Sequence, residues 1–301
     1  MKVLVAGATG YLGRHVVPDL KERGHAVRAL VRDPDRLGPL RDTVDEVITA
    51  DATDVHALAG CCDGVDVLVS TVGLVGKPAR LSCWDVDYGA NLNLLREAQR
   101  ARVHKFVYVS VVHAPALEDL ALVRAKRAFE NELRASGMAH TILYPNGYFS
   151  DMEDYLRMAR RGRAFVFGKG GFGEGGLGKG GFGKGGFGIN PIAGEDVAAA
   201  LADAVNTDEP SIELGGPEVL THEQIARAAF EALGRPARIT HLPPSALKFG
   251  LMLLRRFTPV RVHAVLEFPL TVLTHDVIAP TNGRHRLADH FRAEVEAEAR
   301  P

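Results

Sequence analysis

Three glycines, Gly7, Gly10 and Gly13, stand between an apolar run at residues 2–6 and a segment with apolar residues at Leu12, Val16, Val17 and Leu20. The first run is short enough for a strand, and the second recurs at the helical period. The glycines therefore lie in a strand–turn–helix. Such a turn needs residues without a Cβ, so that backbone can approach a phosphate while the helix N-terminus presents its amides to the charge. We read Gly7-Ala8-Thr9-Gly10-Tyr11-Leu12-Gly13 as a cradle for a dinucleotide pyrophosphate, with Thr9, Tyr11 and Leu12 as its intervening residues. The first two glycines are three apart, where the G-x-G-x-x-G pattern has two.

The end of the next strand bears on which dinucleotide. An NAD site wants a carboxylate there, about 20 residues past the turn, to accept from the ribose 2′-OH. Here Val31 is followed by Arg32, whose guanidinium suits a 2′-phosphate. Asp33 argues the other way, although it should point past the rim into the next helix. The reading favours NADP(H) over NAD(H). Asp51, with Ala52 beside it, can accept from an adenine amino group; the alternative, capping a helix that begins near Val55, falls to Asp54. Thr71, Val72 and Gly73 are small enough for backbone to pass against a cofactor.

These residues need elements to place them. Short apolar runs at 2–6, 26–31, 46–50, 65–70, 105–110 and 140–144 alternate with helical patterns, notably 86–103 and 117–136. That alternation predicts an α/β fold, a doubly wound parallel sheet of the Rossmann kind, with ligands at the carboxyl ends of the strands. Gly7, Arg32, Asp51, Thr71, Ser110 and Tyr144 would then share one rim. Residues 1–150 are expected to form the NAD(P)-binding domain, and 151–301 a smaller C-terminal α/β lobe for substrate or partner, covering the sheet's open edge. A helix at 195–205, a strand at 212–214 and a helix opened by the capping pair Thr221 and Gln224 are assigned to that lobe. Within it, 13 of the 21 residues at 168–188 are glycine, in the pentapeptides GKGGF, GEGGL, GKGGF and GKGGF. So much backbone freedom with so few apolar anchors predicts a mobile surface loop.

Bulk composition narrows the partners. With 36 Lys and Arg against 37 Asp and Glu, the net charge of −1 leaves no footprint for nucleic acid. Three cysteines make neither a disulfide framework nor a zinc spacing, and buried thiols are expected. His275, His285 and His290 sit at no metal spacing, so no metal is assigned. No leader pattern or membrane-length apolar run is visible, which predicts a cytoplasmic protein acting on a small molecule. The basic, apolar stretch 249–268 is expected to pack on the lobe rather than to touch a membrane. A protein partner or a second copy of the chain stays open.

Taken together, the segments GATGYLG (7–13), LVRDPDRL (30–37), DVDYGANLNLLREAQ (85–99), KFVYVS (105–110), RAKRAFENELRASG (124–137), TILYPNGYF (141–149), INPIAGEDVA (189–198) and LGGPEVLT (214–221) resemble the atypical, extended short-chain dehydrogenase/reductases, close to the NmrA-like proteins. They span most of the first 235 residues. The resemblance implies NAD(P)H binding, with relatives among reductases and a nucleotide-binding accessory subunit of respiratory complex I. Catalytic members carry Tyr-x-x-x-Lys on the fifth helix, where the lysine lowers the tyrosine pKa. Lys126 matches that lysine, which also holds the nicotinamide ribose, but the tyrosine position is Leu122. The serine position is Val112 and the asparagine position Asp87. His113 and Tyr144, with Tyr148 nearby, are the candidate substitute acids, and Ser110, Pro145 and Asn146 belong to the nicotinamide end. Water could also supply the proton to an activated C=C or a quinone-like acceptor. Three functions follow: a reductase of a small hydrophobic substrate, a non-catalytic NADP(H) sensor, or an accessory or assembly subunit.

Overall fold

A computed structural model describes residues 1–74, 81–168 and 186–299. In chain order the first half holds β1 (Lys2–Ala6), α1 (Tyr11–Glu22), β2 (Ala26–Val31), β3 (Glu46–Thr49), β4 (Val67–Ser70), α2 (Asn91–Arg100), β5 (Lys105–Val109), α3 (Ala121–Ala135) and β6 (Ala139–Pro145). The second half holds α4 (Phe149–Arg160), β7 (Ala164–Phe167), β8 (Gly188–Ile189), α5 (Gly194–Ala204), β9 (Ser211–Leu214), β10 (Leu220–Thr221), α6 (His222–Ala232), β11 (Ile239–Leu242), α7 (Pro244–Phe257), α8 (Val260–Val272) and α9 (Leu287–Ala299). A 3-10 helix covers Pro34–Asp42, and a π-helix at Trp84–Ala90 runs into α2.

Seven strands form the main sheet in the order β3-β2-β1-β4-β5-β6-β9. The pairings from β3 through β6 are all parallel, so every one of those strands ends on the same rim. The order reverses between β1 and β4, the switch point at which such sheets open a crevice. One sheet face carries Leu4, Ala6, Leu68, Phe106, Tyr108, Ile142 and Tyr144, packed with Leu94 and Ala98 of α2 and Phe129 and Leu133 of α3. Strand alternation puts these residues on a single face, and fully buried aromatics such as Tyr108 and Phe129 meet edge to face at 4.7 Å. Cys61, Cys62 and Cys83 are buried free thiols, as their lack of pattern predicted. The helix expected from Val55 is absent: residues 53–64 form successive turns, and Asp54 caps one of them by accepting from His56 N at 2.9 Å.

The chain divides into two compact units, and not at residue 150. The first comprises Met1–Val111, Asp119–Tyr144 and Gly194–Glu213; the second comprises Val112–Glu118, Pro145–Ala193 and Leu214–Pro301. The assignment of α5 and β9 to the C-terminal lobe is thereby corrected. Ile142 N donates to Pro210 O at 3.0 Å and Asn146 N to Leu214 O at 2.8 Å, which places β9 as a parallel seventh strand beside β6. The inner residues of α5, Val197, Ala198, Leu201 and Ala202, are mostly small, and the helix packs against α1. At Gly194 the approach is closest: a Cβ there would stand 2.8 Å from Tyr11 Oη and 2.9 Å from His15 Cδ2.

In the second unit β7 pairs in parallel with β11, and β8 antiparallel with β10. The predicted cap of α6 is present, with Thr221 Oγ1 accepting from Gln224 N at 3.2 Å and Gln224 Oε1 from Thr221 N at 2.7 Å. Its neighbour His222 is buried, bonded through Nδ1 to Tyr155 Oη at 2.9 Å, and burial pushes its pKa down to about 4. A depressed histidine pKa contributes stability that is present above the ordinary value and lost as pH falls toward the folded one. We expect the wild type to lose stability between pH 6.5 and 4, and His222→Gln, which cannot titrate, to show a smaller loss in urea melts across that window. An unchanged pH slope in the variant would exclude His222 as the cause.

Most of the glycine repeats, expected as a mobile loop, lie outside the described residues. Their two ends do not. A Cβ on Gly168 would lie 3.7 Å from Gly186 Cα, and Gly168 N donates to Leu242 O at 3.0 Å. Since the ends already meet, joining them by a two-residue turn should leave Tm within about 2 °C, because loop-closure entropy changes slowly with length. A drop of more than about 5 °C would show that the repeats carry folding energy. His290, which has no ligand spacing in the sequence, stands with Glu153 and Glu294 so that one ligand atom of each lies within 4.8 Å of the others; its Nε2 is 3.3 Å from Glu153 Oε1.

Candidate functional site

The glycine turn joins β1 to α1 with little room to spare. Gly7 has φ +88°, and its carbonyl accepts from Gly10 N at 2.9 Å. A Cβ on Gly7 would meet Thr71 Oγ1 at 2.6 Å, and one on Gly13 would meet Gly7 O at 2.3 Å and Ala8 Cα at 2.6 Å. The helix therefore starts directly against the turn backbone. Gly10, in extended conformation, caps α1 without a side-chain bond, and the first turn holds no acid. The positive end of α1 is thus left to an anion. Thr71 Oγ1 donates to Ala6 O at 3.0 Å, tying the end of β4 to the end of β1. Arg14 braces the turn, Nε donating to Thr9 O at 3.3 Å and Nη2 to Arg36 O at 2.7 Å.

At the end of β2, Arg32 is exposed. Asp33 turns away from it, as expected: its carboxylate accepts from Asp35 N at 3.1 Å and caps the 3-10 helix. Asp51 Oδ1 accepts from Thr53 N and Oγ1 at 2.9 and 2.8 Å. Those bonds, with a contribution from the charge of Arg32, hold its carboxyl below the usual range. Ala52 O accepts from Asn93 Nδ2 at 3.1 Å, which fixes the peptide after β3 against α2.

Beyond β4 lies a buried charge pair. Lys126, on the first turns of α3, places Nζ 3.1 Å from Asp87 Oδ1, 3.3 Å from Val109 O and 3.5 Å from Tyr108 Oη. Asp87 is fully buried in the π-helix, its Oδ2 accepting from Leu74 N at 3.2 Å. Burial raises its carboxyl above the ordinary range, and Lys126 pulls it part of the way back. Oδ1 makes an ion-pair contact with the lysine but no aligned hydrogen bond. Gly73 sits directly over the pair: a Cβ there would lie 3.0 Å from Asp87 Oδ1 and 3.4 Å from Lys126 Nζ. Asn91, which sequence reasoning missed, is the clamp. It accepts from Ser70 Oγ at 2.6 Å and donates to Val72 O at 3.2 Å and Asp87 O at 3.0 Å, binding the end of β4 to the π-helix. The signal was a polar residue on the buried face of an amphipathic helix.

Other expected site residues are placed differently. Ser110 and Tyr144 are at the rim, but their side chains turn onto the packed face of the sheet, where both bond Glu130 of α3. Ser110 Oγ donates to one oxygen at 2.5 Å and Tyr144 Oη to the other at 2.8 Å, with Arg134 Nη2 2.6 Å from the phenol. Burial and Glu130 raise the Tyr144 pKa, and its phenol is engaged with Glu130 and Arg134 within the core. Asn146 is also engaged within the protein: its amide donates to Asn190 Oδ1 and Val277 O at 2.7 and 2.8 Å, while its own Oδ1 accepts from Gly147 N. Pro145 is buried and its carbonyl accepts from Val112 N at 3.1 Å. His113 is exposed in the segment after β5.

A dinucleotide fits the first unit on two structural grounds: a turn whose Gly7 and Gly13 leave no room for a Cβ, so that the uncapped N-terminus of α1 stands directly against it, and a buried carboxylate oxygen short of one hydrogen bond beside Lys126. With the reversed strand order, the first unit is a Rossmann-type sheet, and Leu122 stands where the short-chain dehydrogenase/reductases that the sequence resembles carry their tyrosine. The chain belongs to the NAD(P)H-binding family, whose sequence model matches residues 7–170. It is 31% identical over 275 residues to the chloroplastic divinyl chlorophyllide a 8-vinyl-reductase of Oryza sativa subsp. indica, covering 84% of this chain and 64% of that protein. It thus spans a little under two thirds of that relative. The photosystem II assembly factor Ycf39 of Synechocystis matches at 28% identity over 152 residues, 50% of this chain and 46% of its own. Among solved structures, the fold is similar to the Escherichia coli NADPH-dependent quinone oxidoreductase QOR2 complexed with NADPH, with TM-score 0.70 and 20% identity over 97% of this chain and 99% of that one. The Citrobacter sp. triphenylmethane reductase complexed with NADP(H) has TM-score 0.64 and 18% identity over 90% of each chain.

Proposed function

We propose that this chain is an NADPH-dependent reductase of an activated C=C bond or quinone-like group in a hydrophobic, conjugated substrate. What supports the reading is the close-packed Gly7–Gly13 turn and the buried Lys126, together with Leu122 where the proton-donating phenol would stand. Carbonyl reduction places negative charge on an oxygen that wants a nearby acid. A conjugated alkene spreads that charge through its π system and can be protonated by solvent. The vinyl reduction named for the rice relative, and the quinone and dye reductions named for the structural neighbours, support this choice.

Bound NADPH would supply the hydride. The chain's own part is to hold and orient. The α1 N-terminus and the glycine turn carry the pyrophosphate, Arg32 the 2′-phosphate and Asp51 with Ala52 the adenine. Lys126, steadied by Asp87, holds the nicotinamide ribose. His113, exposed in the segment after β5, is the side-chain candidate for proton delivery, with water as the alternative. Ycf39 is named as an assembly factor, and the missing tyrosine is equally compatible with a chain that binds the cofactor without turnover.

NADPH consumption separates the two readings when followed against vinyl-bearing tetrapyrroles, quinones, enones and aldehydes. Turnover of conjugated acceptors, with aldehydes left untouched, is expected. Tight NADPH binding with no turnover of any would favour the binding protein. Replacing Arg32 with Ala should weaken NADPH by roughly 10- to 100-fold, the worth of a charge-assisted bond, and NADH by less than about twofold. Equal losses for both nucleotides would remove Arg32 as the selector.

A further inference from the structure

The expectation that residues 249–268 pack on the second unit is only half met. On α7, Leu247 is buried and Leu251 and Leu254 are half-buried, a stripe at i, i+4 and i+7 that faces the protein. The opposite stripe is just as apolar and faces solvent. Phe249 is 58% exposed, Met252 55% and Phe257 76%, with Leu253 between them and Val260, 62% exposed, at the start of α8. A helix that is apolar all round normally has both faces covered. Single exposed apolar residues need no explanation, but a run of four on one face with a fifth beyond its end does.

The charge around the stripe says what covers it. Residues 232–266 hold six Lys or Arg and no Asp or Glu, whereas the rest of the chain holds 30 Lys or Arg against 37 Asp or Glu. Lys248 and Arg256 are exposed beside the stripe, and the Arg256 guanidinium lies 5.8 Å from the centre of the Phe257 ring. Glu267, the next acid along the chain, is buried and bonded to Arg255 Nε at 2.7 Å, so it does not offset Lys248 or Arg256 at the surface. Aromatic, methionine and leucine side chains flanked by cations alone match the boundary of an anionic bilayer, where acyl chains take the apolar stripe and headgroups the cations. An acidic protein partner would fit the cations but not an apolar stripe of this length in its centre. We propose that α7 is a peripheral membrane-docking helix that lays Phe249, Met252, Leu253 and Phe257 into the interface of an anionic lipid surface. No helix among the described residues is long and apolar enough to span a membrane, so the contact is one of lying on the surface.

Vesicle flotation of the full chain tests this. Vesicles of phosphatidylcholine alone should leave it in solution, and vesicles of equal parts phosphatidylcholine and phosphatidylglycerol should carry it up, less so as salt is raised. The pair Phe249→Ser with Phe257→Ser, and separately Lys248→Glu with Arg256→Glu, should each lower the bound fraction by roughly tenfold or more. Both pairs lie on exposed positions and should keep wild-type NADPH binding and Tm, which certifies the fold. Equal recovery with both vesicle types, no recovery with either, or undiminished flotation of the variants overturns the proposal. So does a concentration-dependent dimer that the serine pair abolishes, since the occupant would then be a second copy of the chain.

Discussion

Valine in place of Gly13 should abolish NADPH binding, with at least a 100-fold loss in a fluorescence titration, worth about 2.7 kcal/mol. The reason is geometric. A Cβ at Gly13 would stand 2.3 Å from Gly7 O and 2.6 Å from Ala8 Cα, and both obstacles are backbone that cannot swing aside as a side chain can. The N-terminus of α1 would have to retreat from the turn, taking its amides and its positive end away from the pyrophosphate. The same displacement should lower stability by about 1–3 kcal/mol, as for overpacking elsewhere. Gly250→Ala is the control: nothing lies within 4 Å of a Cβ there, and binding should be unchanged. A Gly13 variant that keeps near-normal affinity would mean that the pyrophosphate does not sit on this turn.

The Lys126–Asp87 pair should show the second large effect. Lys126→Met leaves a carboxylate buried without its counter-charge, at a cost of roughly 3–5 kcal/mol near neutral pH. The pH dependence has a definite sign. Asp87 already titrates above its ordinary value because it is buried, and loss of the lysine raises it further. A raised carboxyl pKa contributes stability that is complete below the unfolded pKa and lost as pH rises through the folded one. The deficit of Lys126→Met should therefore be largest at pH 7–8 and shrink on acidification through the carboxylate range, read from urea melts. Adding Asp87→Asn should restore most of the stability and little of the NADPH affinity. A pH-independent deficit, or no rescue in the double variant, would mean that the pair is not coupled as drawn.

How far the sequence could be read follows from what each signal encodes. Strands β1 to β6 and the glycine turn were legible because a parallel sheet writes its strands as short apolar runs and its turn as spaced glycines. Arg32 and Asp51 were legible as positions after strands. Side-chain direction at the rim was not. Ser110 and Tyr144 end their strands where a ligand would lie, yet both point to the Phe106–Tyr108–Ile142 face, and the parity along β5 and β6 decides this more than distance from the strand end. A polar side chain among alternating apolar ones gave no warning, since its partner, Glu130, sits on another element.

The return of the chain to its first unit was also hidden. Nothing local in α5 or β9 says that α5 joins α1 across about 180 residues or that β9 joins β6 across 68; the small inner residues of α5 and the Gly194 contact become informative only once the neighbour is known. Asn91 and the Asn146–Asn190 pair belong to the same class, because a buried amide is defined by the backbone groups it satisfies rather than by its neighbours in sequence. The outward stripe of α7 has the opposite history. Its composition was plain in the sequence, and only solvent exposure shows which of its two apolar faces is covered.

Hydride transfer itself is the most direct test of the account. NADPH carrying deuterium at both nicotinamide C4 positions, mixed in single turnover with a vinyl-bearing tetrapyrrole, should oxidise and deliver one deuterium to a carbon of the acceptor, with the second hydrogen taken from solvent. Lys126→Met should slow that step. A chain that binds NADPH tightly yet leaves the label on the cofactor with every acceptor would contradict the reductase reading and leave a nucleotide-binding protein in its place.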